Sequence, residues 1–361
     1  MTTAPGTAVT GSVAPRPGGR WRLLVLLAAV VALGVLVVAS VALGSSGVGF
    51  ADAAWAIGTR ILGSDVTPDG ERVQAVVWGL RLPRVVLAVL GGAALSVAGV
   101  VMQGMLRNPM VSPFTLGISS AAAFGASVVI LFGGAAAAGG RTDPLVVAGA
   151  LIAAAGCAVL LLGLSWIRRA AAVTLILVGM ALNYLFSAVT AALQYVATDQ
   201  QLAQIVRWTF GSVNEADWTQ VAVVGCVVAV AFPLVMARAG ALDAVAFAGD
   251  DAARGLGVDV TGLRIVGSIT AVALAAVVVS FTGVIAFVGL VGPHIARLII
   301  GAGHRYLVPF AAVSGALLLL AADTVGRTVF APVVIPVGIV VSFLGAPLFL
   351  NLVLARKRSF L

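Results

Sequence analysis

The sequence predicts an all-α, polytopic integral membrane protein with about ten spanning helices. Asp, Glu, Lys and Arg make up only 9% of its 361 residues, against roughly 25% in soluble chains. Hydrophobic residues make up 61%, and the mean hydropathy is +1.16. Uncharged runs of about 20 residues recur down the chain, each long enough to cross a hydrocarbon core as a helix. The formal charge of +8 does not point to nucleic acid, because the basic residues are scattered between the runs and form no patch. They read as topology-setting charge.

The elements follow in order. Residues 1–20, with Pro5, Gly6, Pro15, Pro17, Gly18 and Gly19, read as a disordered tail. Residues 21–361 read as one membrane domain. Leu23–Leu43 follows Arg16, Arg20 and Arg22 and so resembles a signal peptide. Its 21 residues exceed a signal core of about 7–15, which favours an uncleaved first span. Breaking the rest at charges and Pro/Gly clusters gives spans at 85–106, 113–133, 145–166, 173–196, 218–237, 264–282, 284–301, 307–328 and 336–354. The seventh and eighth are nearly continuous, with only Thr282–Gly283 to turn on.

Lys and Arg set the orientation. With both termini in the cytoplasm, fourteen basic residues fall inside and seven outside, the bias expected of cytoplasmic loops. This places Arg81 and Arg84 of "LRLPR" on the outer face, against that bias, at the mouth of a 22-residue uncharged run. Arg327 lies near the same surface.

Polar residues inside the spans are few. Gly91, Gly92, Ala93, Ala94, Ser96, Ala98 and Gly99 in the second span read as close helix packing. Asn183, Ser187, Thr190 and Gln194 recur at intervals of 4, 3 and 4 and so share one face of the fifth span. That stripe fits either interhelical hydrogen bonding or a wet pathway. Asp323 and Arg327 are spaced as an i,i+4 ion pair. Cys157 and Cys226 read as buried small hydrophobes. His294 has no ligand-spaced partner, and His304, beside Arg305, reads as a cytoplasmic surface residue. No metal or cofactor is expected.

The longest cytoplasmic loop, 237–264, carries Asp243, Asp250, Asp251, Arg254 and Asp259 interleaved with Leu242, Val245, Phe247 and Leu256. Two short amphipathic helices, broken near Gly249 and ended at Gly255 and Gly257, fit the pattern. Four acids disfavour an anionic membrane surface, so the loop reads as a dock for a soluble partner. The chain has no phosphate loop, HExxH or GxSxG, which argues against an enzyme.

In combination, the motifs resemble the permease subunits of bacterial ABC importers for ferric siderophores, haem and cobalamin. They are "LRLPR" (80–84), "GAALSVAGVVMQGMLRNPMVSPFTLG" (92–117), "RWTFGSVNEADW" (207–218), "GLGV" (255–258), "GVIAFVGLVGPHIARLIIGAGHR" (283–305), "AADTVGR" (321–327) and "IPVGIVVSFLGAPLFL" (335–350). The resemblance implies a type II importer architecture with ten helices and both termini inside. It implies a second permease subunit, identical or paralogous, a cytoplasmic ATPase dimer and an extracytoplasmic substrate-binding (lipo)protein. The family's docking arginines correspond to Arg81, Arg84 and Arg327. Its coupling loop coincides with 237–264, here with Asp243, Gly249, Asp250, Arg254, Gly255, Leu256 and Gly257. Its gate coincides with Arg169–Thr174, where Ala172 and Val173 precede Thr174 in place of the usual small hydroxyl residues. A stand-alone secondary transporter is the competing class, and it would need coupling acids at the midplane that Asp323 alone does not supply.

Overall fold

The computed structural model describes residues 19–43, 49–63, 68–134, 140–168, 172–329 and 331–356. The expected tail lies outside the described residues as far as residue 18. Gly19 and Arg20 already belong to the first helix.

The regular structure of the described residues is helical, with α1 Gly19–Ala42, α2 Phe50–Leu62, α3 Pro68–Val76, α4 Leu82–Leu106, α5 Ile118–Phe132, α6 Pro144–Arg168, α7 Ala172–Val196, α8 Asp199–Thr209 and α9 Trp218–Ala237. It continues with α10 Ala239–Ala248, α11 Asp250–Gly255, α12 Val260–Thr282, α13 Val288–Ile300, α14 His304–Thr328 and α15 Val337–Arg356. Ten of these occupy the ten predicted spans. Among the described residues, seven segments are long and apolar enough to cross a membrane by length and composition. Hydropathy did not announce α2, α3 and α8. For α8 the signal was present: Thr198 and Gln201 form a capping box at its start.

Helix α4 is the core element and packs against α9, α12, α13 and α14. Its small residues let backbones touch: Gly92 meets Gly315 of α14, and Gly99 meets Gly289 of α13. Ahead of α4 the chain does not start afresh. A π turn at Val77–Arg81 joins it to α3, and Leu82 N–H reaches back to the Val77 carbonyl. Pro83, which has no N–H to give, follows that wider turn directly.

Two predicted spans are only partly helical. Span 113–133 becomes a helix only at Ile118, because Pro109, Pro113 and a Ser112–Thr115 turn hold the chain irregular before it. Span 284–301 becomes one only at Val288, after Gly283 at φ +74 and Phe287 at φ +64. The turn expected at Thr282–Gly283 therefore extends over five residues, 283–287. Helix α13, with 13 residues, covers about 20 Å of a hydrocarbon core about 30 Å thick. Non-helical backbone at such depth needs protein partners. Gln103 donates to the carbonyls of Val111 and Gly289 and accepts from Arg297. Ser212 N–H donates to the Thr282 carbonyl, and Gly338 N–H to that of Gly211.

Of the two cysteines, Cys157 is buried as expected. Cys226 is not: it faces outward from α9. Both thiols are free.

Candidate functional site

At one end of the bundle the three expected docking arginines converge. Arg84 is joined to Asp323 by both Nε and Nη2, with Nη2 at 2.8 Å from Oδ1. The two side chains are only 12% and 2% exposed. Arg327 approaches the same carboxylate less closely, at 3.8 Å. The i,i+4 pair read from sequence is thus the weaker of Asp323's two contacts. Its main partner comes from α4, 239 residues away.

Arg81 and Arg327 also hold the end of α1. Arg81 is 6% exposed and donates to the carbonyls of Val41 and Ala42. Arg327 donates to those of Leu43 and Ser40. These are the carbonyls a helix leaves unpaired at its C-terminus, where cations are favoured. Three arginines against one aspartate leave the cluster with excess positive charge. The remaining Arg84 nitrogen, Nη1, turns to the Asn214 side chain at the exposed edge. Nearby, burial lowers the pKa of Arg141, which donates to the carbonyls of Ser212 and Arg207, while Glu215 opposes that shift.

At the opposite end lies loop 237–264. It forms the two short helices the pattern predicted, α10 and α11, with Gly249 between them at φ +87. Gly257, at φ +82, turns the chain towards α12, a backbone conformation that side chains disfavour. Gly255 is different: it is the last residue of α11, in open space, and makes no such turn. Asp250 pairs with Arg264 and Arg254 with Asp251, each at 2.9 Å. Phe247 and Leu256 stand exposed on the loop. Arg107, at the C-terminal cap of α4, presents its guanidinium to Gly249.

His304 corrects the sequence reading. It is 2% exposed rather than a surface residue. Its ring Nδ1 lies 2.6 Å from Oδ1 of Asp243. A histidine beside an arginine at a helix start gives no sign of an acid 61 positions earlier. Only the fold brings them together.

The polar stripe of α7 runs along the border of its packed face. Thr190 is buried and donates to the Phe186 carbonyl of its own helix, at 2.8 Å. Asn183 and Gln194 are half-buried, and Ser187 is exposed. Tyr184 and Tyr195, the latter 91% exposed, stand on the uncovered face beside the stripe. The sequence reading passed over both, because their spacing does not fall on the stripe. Of the segment expected to form the gate, Arg169–Ala171 and the side chains of Ala172 and Val173 lie outside the described residues; Thr174 is exposed.

A family model, the FecCD transport family, matches residues 30–355. The chain belongs to the FecCD transport family. This FecCD protein is 43% identical over 292 residues to an ABC transporter permease protein of Methanocaldococcus jannaschii, covering 78% of this chain and 82% of that one. It is 38% identical over 284 residues to the hemin transport system permease protein of Yersinia pestis, covering 78% and 84%. Among solved structures it is similar to an inward-facing conformation of a metal-chelate type ABC transporter. That match has a TM-score of 0.76 at 28% identity and covers 92% of this chain and 99% of the other. The FecCD assignment and the apolar helices make this a multi-pass membrane protein of the ABC permease class. As a FecCD protein it works with a cytoplasmic ATPase and a substrate-binding protein.

Proposed function

We propose that this chain is the transport subunit of an importer that carries an iron chelate across the cytoplasmic membrane. Ferric siderophore is the first choice of cargo, haem the second and cobalamin the third. Hydrolysis of ATP takes place on a separate chain. The observation that carries this reading is the uncovered face of α7. Helices α1 and α7 are equally bare, each with 11% of its spanning window buried. The exposed residues of α1 include Leu23, Leu24, Leu27, Val31 and Val35, which suit lipid. Those of α7 are mixed: Leu177, Met180, Leu185 and Val196 are apolar, but Tyr184, Ser187 and Tyr195 stand among them, and their polar groups are costly in hydrocarbon. A second subunit, identical or paralogous, would face α7 and enclose a path bordered by Asn183, Ser187, Thr190 and Gln194. The gate at Ala172, Val173 and Thr174 would close its loop end.

The remaining roles follow from position. On this reading Arg81, Arg84 and Arg327 lie on the outer face and receive acidic residues of the binding protein. Loop 237–264 lies in the cytoplasm and docks on the ATPase, with Phe247 and Leu256 as exposed apolar contacts. Asp323 is neutralised by Arg84, which does not suit the free coupling acid of a secondary transporter. A pathway wide enough for a chelate makes few specific contacts, so cargo selection falls to the binding protein.

Proteoliposomes holding the chain with its ATPase and binding protein are expected to accumulate ferric siderophore only when ATP is supplied. Accumulation without the ATPase would place the chain among secondary transporters instead. The orientation has its own check. In a background with Cys157 and Cys226 replaced, cysteines at Thr142 and Gln200 are expected to react with an impermeant thiol reagent in intact cells. A cysteine at Ala252 is expected to stay unlabelled, and its labelling would reverse the assignment of both termini to the cytoplasm.

A further inference from the structure

Helices α4 and α14 touch at both ends and in the middle. At the arginine end, Arg84 of α4 binds Asp323 of α14. Midway, Gly92 and Gly315 are so close that a Cβ on Gly92 would stand 2.3 Å from the Gly315 carbonyl oxygen. At the loop end, a Cβ on Gly104 of α4 would stand 2.6 Å from Nε2 of His304. The two helices therefore leave each other little room to slide. Each of α4 and α14 has 25 residues, so the pair reaches about 37 Å, from one membrane surface towards the other.

Loop 237–264 grips this pair at two points. Arg107, at the end of α4, reaches Gly249. Asp243 of α10 accepts the backbone N–H of His304 at 2.9 Å and lies 2.6 Å from its ring Nδ1. Gly303, the cap residue of α14, has no side chain with which to cap the helix. The carboxylate that a helix N-terminus favours thus comes from the coupling loop. The His304 ring fills the space between that carboxylate and α4, and its Nε2 has no hydrogen-bond partner among the described residues. A ring held by one hydrogen-bonded edge and one wedged edge transmits displacement of α10 in either direction.

We propose that α4 and α14 form one strut coupling loop 237–264 to the arginine cluster, with His304 as the positioning residue that joins loop to strut through Asp243. The proposal rests on the reading of the loop as the ATPase dock and of the arginines as the binding-protein dock. Coupling between two binding sites is reciprocal and is measured by the change one ligand makes in the affinity of the other. The test is therefore the Kd of the binding protein for the permease–ATPase complex in nanodiscs, with and without ATP. In the wild type the two Kd values are expected to differ. In His304→Ala, which empties the space beside Gly104, their ratio is expected to move towards 1 by about fivefold or more. His304→Asn, which keeps a donor where Nδ1 stands, is expected to restore most of the ratio. Asp243→Leu, nearly equal in size but with no acceptor for the His304 N–H and ring Nδ1, gives a second route to the same loss if His304→Ala fails to assemble. A wild-type ratio in both His304→Ala and Asp243→Leu overturns the strut. Equal loss in His304→Ala and His304→Asn overturns the positioning role. A wild-type complex whose binding-protein affinity ignores ATP overturns the underlying assignment of the two docks.

Discussion

Replacing Asp323 by alanine is expected to destabilise the protein by about 3–5 kcal/mol, the cost of leaving a buried charge without its partner. The reason is local. Arg84 and Asp323 are 12% and 2% exposed, and Arg327 stands at the same carboxylate. Without Asp323 two guanidinium groups face each other with no anion between them. The Asp323→Ala variant should lose most of its monodisperse fraction in detergent and melt at a lower temperature. Replacing both partners, as in Arg84→Met with Asp323→Leu, should recover part of that loss, because Arg327 is then the one guanidinium without its anion and it keeps the Leu43 and Ser40 carbonyls. Asp323→Ala with wild-type thermal stability would show that the pair contributes nothing to the fold. The same geometry shapes any test of docking. Reversing Arg84 alone would set two carboxylates together and disturb folding before docking. Exchanging the pair, Arg84→Asp with Asp323→Arg, keeps the charge of the cluster while moving the guanidinium to α14. Stable protein that has lost salt-sensitive association with the binding protein is the expected outcome, since exposed ion pairs are screened over about 10 Å at 0.1 M salt.

Adding a single methyl group at Gly99 should be nearly as damaging. A Cβ there would stand 1.8 Å from the Gly289 carbonyl oxygen and 2.7 Å from its carbon. Neither atom can rotate aside, so α4 and α13 would have to separate. Overpacking of this kind costs about 1–3 kcal/mol or more, and Gly99→Ala is expected at or above the top of that range. Gly156→Ala in α6 is the control. Its Cβ meets nothing within 4 Å, and alanine is the better helix former by up to about 1 kcal/mol. Thermal unfolding of the two variants in the same detergent should therefore move in opposite directions. A Gly99→Ala protein as stable as Gly156→Ala would mean that the α4–α13 contact is looser than described.

The sequence determined where the long apolar helices lie, because hydrocarbon admits only long uncharged runs whose backbone is internally paired. It also determined the break of loop 237–264 at Gly249, because a residue at φ +87 strongly favours glycine. The stripe on α7 was legible for a similar reason: helical period alone fixes which residues share a face. Partners were not legible, because they depend on distances between segments far apart in the chain. Asp323 was read with its neighbour Arg327, yet the fold gives it chiefly to Arg84. His304 was read as a surface residue, yet the fold buries it against Asp243 and Gly104. Spans 113–133 and 284–301 were read as continuous helices, yet their first residues are irregular. Hydropathy reports burial and not hydrogen bonding, and the partners of that irregular backbone, Gln103 among them, come from elsewhere in the bundle. Periodicity and composition are properties of a segment, whereas pairing and close approach belong to the packed helices, and only the tertiary structure could decide them.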